Sequence, residues 1–355
     1  LTGAACSTDG GRSIETRLRV LPGAEVRSIE AEPPFEQAFE LLLDQPLDHE
    51  DEGAGRLAQR IRISHVDASR PVVLITEGYA LYDNQVRELA ELLDANEVRV
   101  EHRYFGESVP DEMRWELLNI RQAAEDHHRV IELLRPIYPG PWVSTGWSKG
   151  GQTAMYHRYF FPDDVAATVA YDAPLNFAAE DPRIDAFFDE VGTADCRQRL
   201  IDFQREVLSR KEESLPRFDW YARGKGYEYS VGLEKALEYV VLEYPFSFWQ
   251  YHQIPCEEIP ESGAAADELL EHLKEVVSFR SYADSSMDSA AMYQFFTELG
   301  YYGYVTKNVA DLLGAESYPN QAYAPRDVEL VFQPQAMQDV DAWVRESGDR
   351  FLYVY

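Results

Sequence analysis

Apolar positions along this chain change their period twice, and each change marks a boundary. Residues 1–30 are polar and irregular and predict a leader or tether. Residues 35–43 and 57–66 read as two strands, and the acidic, glycine-containing connection 48–55 joins them as an antiparallel edge hairpin. The run Pro71-Val72-Val73-Leu74-Ile75-Thr76 is continuously apolar, as a strand buried on both faces must be. A helical stretch follows over 84–94, with Val86, Leu89, Ala90, Leu92 and Leu93 on one face, then a strand at 97–102. A loop with Gly106 and Pro110, a helix over 115–134, a strand at 142–146, a helix from 150 and a strand at 166–171 complete the series. Strand and helix in regular alternation predict a parallel sheet.

From 178 to 320 that alternation stops. Helical patterns replace it at 195–210, 232–243, 265–279, 289–299 and 306–313, broken by the aromatic-rich turn 244–249. A helix at 335–346 and the apolar run 350–355 then resume the first pattern. The chain therefore divides into a leader (1–30), a sheet core (31–177 and 321–355) and a helical insertion (178–320).

Composition narrows the function classes. Hydrophobic residues make up 45% and aromatics 13%, with 22 tyrosines, which excludes a disordered chain and hints at a lined cleft. The net charge of −30, from 63 acidic and 33 basic residues, argues against nucleic acid or an anionic membrane as partner. An acidic cleft would instead favour cationic ligands such as a free peptide N-terminus. The three cysteines show no metal-ligand spacing, so neither metal nor cofactor is predicted. Cys196 and Cys256 are able to pair in an exported protein, leaving Cys6 over. Cys6 follows small residues and precedes a Ser/Thr/Gly tether, like a bacterial lipoprotein junction, although Gly3 stands where an aliphatic residue is usual. No stretch of about 20 apolar residues is present. The expectation is an exported protein, secreted, periplasmic or lipid-anchored through Cys6, without a membrane span.

The chemistry centres on Gly146-Trp147-Ser148-Lys149-Gly150, a G-x-S-x-G pentapeptide between a predicted strand and a predicted helix. A sharp turn there lifts a serine hydroxyl out of the sheet as a nucleophile. At the carboxyl end of a central strand, with a helical insertion after the fourth parallel strand, it predicts an α/β-hydrolase sheet with an inserted helical lid. The backbone N–H of Lys149 is the first oxyanion donor, and the loop with Gly78 and Tyr79 supplies the second. The usual order places the acid after the strand ending at Tyr355 and the histidine later still, so both are expected beyond it. Asp172 is a local alternative for the acid.

Four segments resemble a known family. Gln45-Pro46-Leu47-Asp48-His49, Thr76-Glu77-Gly78-Tyr79, Glu101-His102-Arg103-Tyr104-Phe105-Gly106-Glu107-Ser108 and Gly146-Trp147-Ser148-Lys149-Gly150-Gly151 have the order and spacing of the secreted bacterial tripeptidyl aminopeptidases, serine peptidase family thirty-seven. The chain is more distantly similar to lysosomal prolyl carboxypeptidase. The resemblance implies an exported serine exopeptidase that releases tripeptides or dipeptides from free N-termini by an acyl-enzyme route, with Ser148 the matching member of its Ser, Asp, His triad. Such enzymes need a carboxylate for the substrate's α-ammonium. Tyr293-Gln294-Phe295-Phe296-Thr297-Glu298-Leu299-Gly300-Tyr301-Tyr302 resembles a lid motif of both families and makes Glu298 the first candidate, ahead of Glu243 and Glu77. Trp147 is a candidate pocket wall. The competing readings are a prolyl carboxypeptidase-like enzyme, an esterase, or a non-catalytic peptide-binding relative.

Overall fold

The computed structural model describes residues 13–82, 87–251, 254–286 and 288–355, so Cys6 and most of the predicted leader lie outside the described residues. The chain forms two compact units, one of residues 1–177 and 333–355 and one of residues 178–332.

The first unit is built on an eight-stranded sheet in the order β1-β2-β3-β5-β4-β6-β7-β8. Residues 13–30 differ from the expected tether. Ser13 caps helix α1 (Ile14–Leu18), whose Ile14 and Leu18 enter the core, and β1 (Ala24–Ile29) pairs antiparallel with β2 (Gln37–Pro46). Edge strand β1 is only partly buried, which leaves little apolar pattern to read. Its presence moves the predicted hairpin of β2 and β3 (Arg56–His65) inward, and β3 pairs antiparallel with β5 (Asn96–Val100). From β5 onward β4 (Val72–Thr76), β6 (Trp142–Trp147) and β7 (Ala167–Tyr171) run parallel. In β4, Val72 and Leu74 enter one apolar cluster while Val73 and Ile75 enter another, so the strand is buried on both faces.

Helix α2 is described over Glu88–Leu92, shorter than the predicted 84–94, of which 84–86 lie outside the described residues. Asn119 caps α3 (Ile120–Leu134), whose Val130, Ile131 and Leu134 pack on the sheet. Helix α4 (Lys149–Phe160) is buried along nearly its whole length. It is the central helix of this unit.

The second unit is helical: α5 (Arg183–Glu190), α6 (Ala194–Ser209), α7 (Lys211–Lys225), α8 (Leu233–Tyr251), α9 (Ala266–Val276) and α10 (Ser289–Gln294). The predicted helix at 306–313 is only a 3₁₀ turn, Ala310–Leu312. Conversely, α8 continues through Pro245, where the sequence predicts a turn. Proline has no N–H for the carbonyl four residues back. Gln204 of α6 takes over that role, its amide donating to Val241 O at 2.8 Å. A disulfide joins Cys196 at the start of α6 to Cys256. This unit extends past the expected boundary at 320, because Tyr323 belongs to its aromatic core and Asn320 bonds Glu180 and Tyr302. The chain then returns to the first unit through α11 (Pro334–Ser347), which packs on α4, and β8 (Phe351–Val354), parallel to β7. No described helix is long and apolar enough to cross a membrane.

Candidate active site

Ser148 stands at the turn from β6 to α4 with φ +51° and ψ −121°. A non-glycine residue in this region is strained by about 1–3 kcal/mol and persists only where its surroundings enforce it. Here they do. Ser148 N–H donates to Tyr171 O at 2.9 Å, and Ser148 O accepts from Gln152 N at 3.0 Å. The serine is exposed, at the C-terminal ends of the parallel strands.

The loop after β4 is pressed onto this turn. A β-carbon on Gly78 would lie 2.5 Å from Gly150 N, and one on Gly150 would lie 2.6 Å from Thr76 O, so only glycine lets the two backbones approach. Gly146 meets the Gly150 backbone in the same way. The Thr76 hydroxyl donates to Thr145 O at 3.1 Å or Gly150 O at 2.9 Å, tying the strands to the helix start. The Lys149 N–H at the first turn of α4 and the Gly78–Tyr79 segment are thereby held together. The Lys149 side chain is 1% exposed, and its Nζ donates to Gly78 O at 2.5 Å.

Two buried networks hold these loops from behind. Glu101 accepts hydrogen bonds from the N–H groups of Leu81, Glu107 and Ser108 and from the Ser108 hydroxyl, all at 2.8–3.0 Å. Gly106, at φ +56°, allows the chain to wrap around that carboxylate. Arg103 is fully buried, bonded to both oxygens of Asp126 and to the carbonyls of Pro46, Leu47 and Leu117. His49 completes the arrangement at 2.8 Å from Asp126 Oδ1. Burial works to raise the Asp126 carboxyl, but the charge of Arg103 and the bonds from His49 and Arg103 hold it below the usual range. The first and third resembling segments are thus joined through one ion-pair network. Asp126 lies outside every motif and has no sequence signal beyond an acidic residue on the buried side of its helix.

The described histidines take their hydrogen bonds elsewhere. His102 lies 3.0 Å from the Tyr156 hydroxyl and is kept neutral by burial and by the charge of Lys149. His127 donates to Ala123 O and is pushed down to about 4 by burial, and His128 and His157 share Asp164. His65 bonds Tyr138, and His272 bonds Tyr244. His252 lies outside the described residues. Among the described residues no histidine is bonded to Ser148. Asp172, at the end of β7 with φ +45°, is exposed.

Glu77, the third candidate for the substrate's ammonium, is paired with Arg99. Its Oε1 accepts from Arg99 at 2.7 and 3.2 Å, so a basic side chain already neutralises it. Trp147 stacks on Tyr171 with ring centroids 4.8 Å apart, and the Arg87 guanidinium lies over the Trp147 ring at 5.1 Å.

Within the helical unit, Glu243 is 7% exposed and, among the described residues, is met by hydroxyls. Tyr302 donates to Oε2 at 2.8 Å, Tyr282 to Oε2 at 3.1 Å and Ser247 to Oε1 at 3.1 Å. Burial raises its carboxyl to about 7, and the hydroxyls offset this only in part. No described basic residue pairs with it. Phe246, just past the Pro245 position, stacks on Tyr302 at 3.9 Å. Glu298 is buried in the single π-helical turn Phe295–Leu299, a geometry frequent at functional sites. Sequence reasoning selected both glutamates but missed the tyrosines around Glu243, whose signal was the tyrosine excess.

The arrangement in the first unit is that of an α/β hydrolase, with a strained serine at a strand-to-helix turn and backbone donors beside it. The model of a family described as PS-10 peptidase S37 matches residues 10–355. The chain is 39% identical to the prolyl tri/tetrapeptidyl aminopeptidase of Streptomyces mobaraensis over 365 residues, which covers 99% of this chain and 75% of that protein. It is 33% identical over 122 residues to the human lysosomal Pro-X carboxypeptidase, covering 31% of this chain and 24% of that enzyme. Among solved structures, acetyl xylan esterase 1 from Thermoanaerobacterium sp. aligns over 50% of this chain and 60% of its own, with a TM-score of 0.34 and 14% identity.

Proposed function

We propose that this chain, which belongs to the PS-10 peptidase S37 family, is a serine aminopeptidase that releases short peptides from free N-termini. The Streptomyces mobaraensis relative is named for tri- and tetrapeptides, which favours three or four residues over the dipeptides also expected from the sequence. The observation that carries the reading is the enforced φ of +51° at Ser148, beside two packed backbone segments.

In this mechanism the Ser148 hydroxyl gives its proton to a histidine base and attacks the scissile carbonyl. The N–H of Lys149, with that of Gly78 or Tyr79, receives the charge that develops on the carbonyl oxygen. Collapse of the tetrahedral intermediate expels the amine of the shortened substrate and leaves the released peptide esterified to Ser148, from which water frees it. Glu243 takes the substrate's α-ammonium, supported by its burial with no basic partner among the described residues, and Glu298 is the alternative. Trp147, backed by Tyr171 and Arg87, is the proposed apolar wall.

Export belongs to the same proposal. The disulfide Cys196–Cys256 suggests an extracytoplasmic location, and the context of Cys6 supports lipid anchoring there.

The test compares Ser148→Ala with the parent on peptides with free and with blocked N-termini. We expect turnover to fall by at least about 10⁴-fold. Equal cleavage by both proteins would remove the nucleophile assignment, and a preference for blocked peptides would remove the aminopeptidase reading.

A further inference from the structure

The side chain of Lys149 has no role in the mechanism above, since any residue at that position supplies the backbone N–H. Yet it is 1% exposed, and burying an ammonium costs several kcal/mol unless specific partners compensate. Its partners belong to the other two loops. Nζ donates to Gly78 O at 2.5 Å, and it lies 4.6 Å from the ring centroid of Phe105 and 5.2 Å from that of Tyr79. Aromatic faces attract a cation most strongly when water is excluded. The cation therefore joins the loop after β4, the segment after β5 and the start of α4.

The geometry of a peptide bond turns this contact into an orienting device. A trans peptide points its C=O and its N–H in opposite directions. Holding Gly78 O fixes the plane of the Gly78–Tyr79 peptide, and with it the direction of the Tyr79 N–H. A carbonyl bonded to a cation also polarises its own peptide, which strengthens that N–H as a donor. The next peptide is pinned as well, because His102 N donates to Tyr79 O at 3.1 Å.

We propose that Lys149 is a positioning residue for the oxyanion hole: its ammonium, bonded to the Gly78 carbonyl and faced by the rings of Tyr79 and Phe105, sets the loop after β4 in its donor conformation. This rests on the reading of Ser148 as nucleophile. The substrate need not touch the lysine side chain, so its effect is confined to the step in which charge develops.

Lys149→Met keeps most of the stem and removes the donor. Loss of one oxyanion donor typically lowers kcat about 10²–10³-fold, and loss of its orientation is expected to cost about 10–100-fold. The measurement is kcat per active site, titrated with a fluorophosphonate, on a chromogenic peptide with a free N-terminus. KM is expected to stay within about threefold, and inactivation by the fluorophosphonate, whose tetrahedral oxygen occupies the hole, is expected to slow in parallel. Lys149→Arg, which keeps the charge, is expected to recover part of kcat. A kcat for Lys149→Met within about threefold of the parent, or a change confined to KM, overturns the proposal.

Phe105→Leu is the second variant should Lys149→Met fail to fold. Removing one aromatic face is expected to lower kcat about 3–10-fold at steady KM, and an unchanged kcat overturns the proposal equally. Turnover that survives Ser148→Ala sinks the nucleophile reading itself. Turnover that depends on Ser148 but ignores Lys149→Met sinks the lysine proposal alone.

Discussion

Asp126 in the sheet unit and Glu243 in the helical unit are both buried carboxylates, and they are treated in opposite ways. Asp126 meets two nitrogens of Arg103 and the ring of His49, and it stays ionised below the usual carboxylate range. Glu243 meets three neutral hydroxyls, and its carboxyl rises to about 7. A buried charge that is already paired holds its neighbours in place, whereas one with neutral donors alone retains the capacity to take a cation. If Glu243 takes the substrate's ammonium as proposed, the difference separates scaffold from recognition site more sharply than burial does.

The largest effect expected from this contrast is on stability. Asp126→Ala leaves the Arg103 guanidinium buried without its carboxylate, and the cost is about 3–5 kcal/mol in chemical denaturation. A loss under about 1 kcal/mol would break the scaffold half of the comparison. Glu243→Gln should do the reverse, keeping the fold but weakening recognition. Removing a charge-assisted hydrogen bond worth about 1.5–3 kcal/mol raises KM for free N-terminal peptides about 10–100-fold, while turnover of an N-blocked ester is unchanged. A KM that responds to Glu298→Gln and not to Glu243→Gln would move the recognition role to Glu298.

Acidity sharpens the same contrast. Glu243 keeps its proton in the fold up to about 7, whereas a glutamate of the unfolded chain ionises near about 4.3. Between those values the folded chain holds a proton that the unfolded chain has released. Stability therefore falls as pH rises through the window, by at most about 4 kcal/mol, and levels off above it. Denaturation midpoints of the parent should show this slope, and those of Glu243→Gln should lose it. Affinity for a free N-terminus runs the other way, improving as Glu243 ionises through about 7. The smallest effect is expected at Gln204→Leu. It strands the Val241 carbonyl, which Pro245 cannot serve, at a cost of about 1–2 kcal/mol in the same denaturation experiment.

What the sequence made legible follows from where each signal resides. The parallel strands were readable because a strand buried on both faces leaves a run such as 72–75 with no polar interruption. Edge strand β1 was not, because half of its positions face water. Helix α5 spans only eight residues with none buried, and α7 contains Pro216, a residue that reads as a helix breaker. Pro245 was read as a turn because its compensation comes from Gln204, far away in the chain. In the active site, Ser148 and the glycines were legible because the turn geometry allows few residues. The surroundings of Glu243 were not, since Tyr282 and Tyr302 arrive from separate segments. The Lys149 side chain was overlooked for a simpler reason: its neighbours Tyr79 and Phe105 come together only when three loops meet.

The packing of Gly78, Gly146 and Gly150 has a consequence for heat. The spacing between the loop after β4 and the start of α4 is set by main-chain atoms in hard contact, a joint with no adjustable part. Rotamer hopping, by which many sites loosen on warming, can act there on the Lys149 side chain but not on that spacing. Catalytic loss during a temperature ramp should therefore coincide with melting of the sheet rather than precede it.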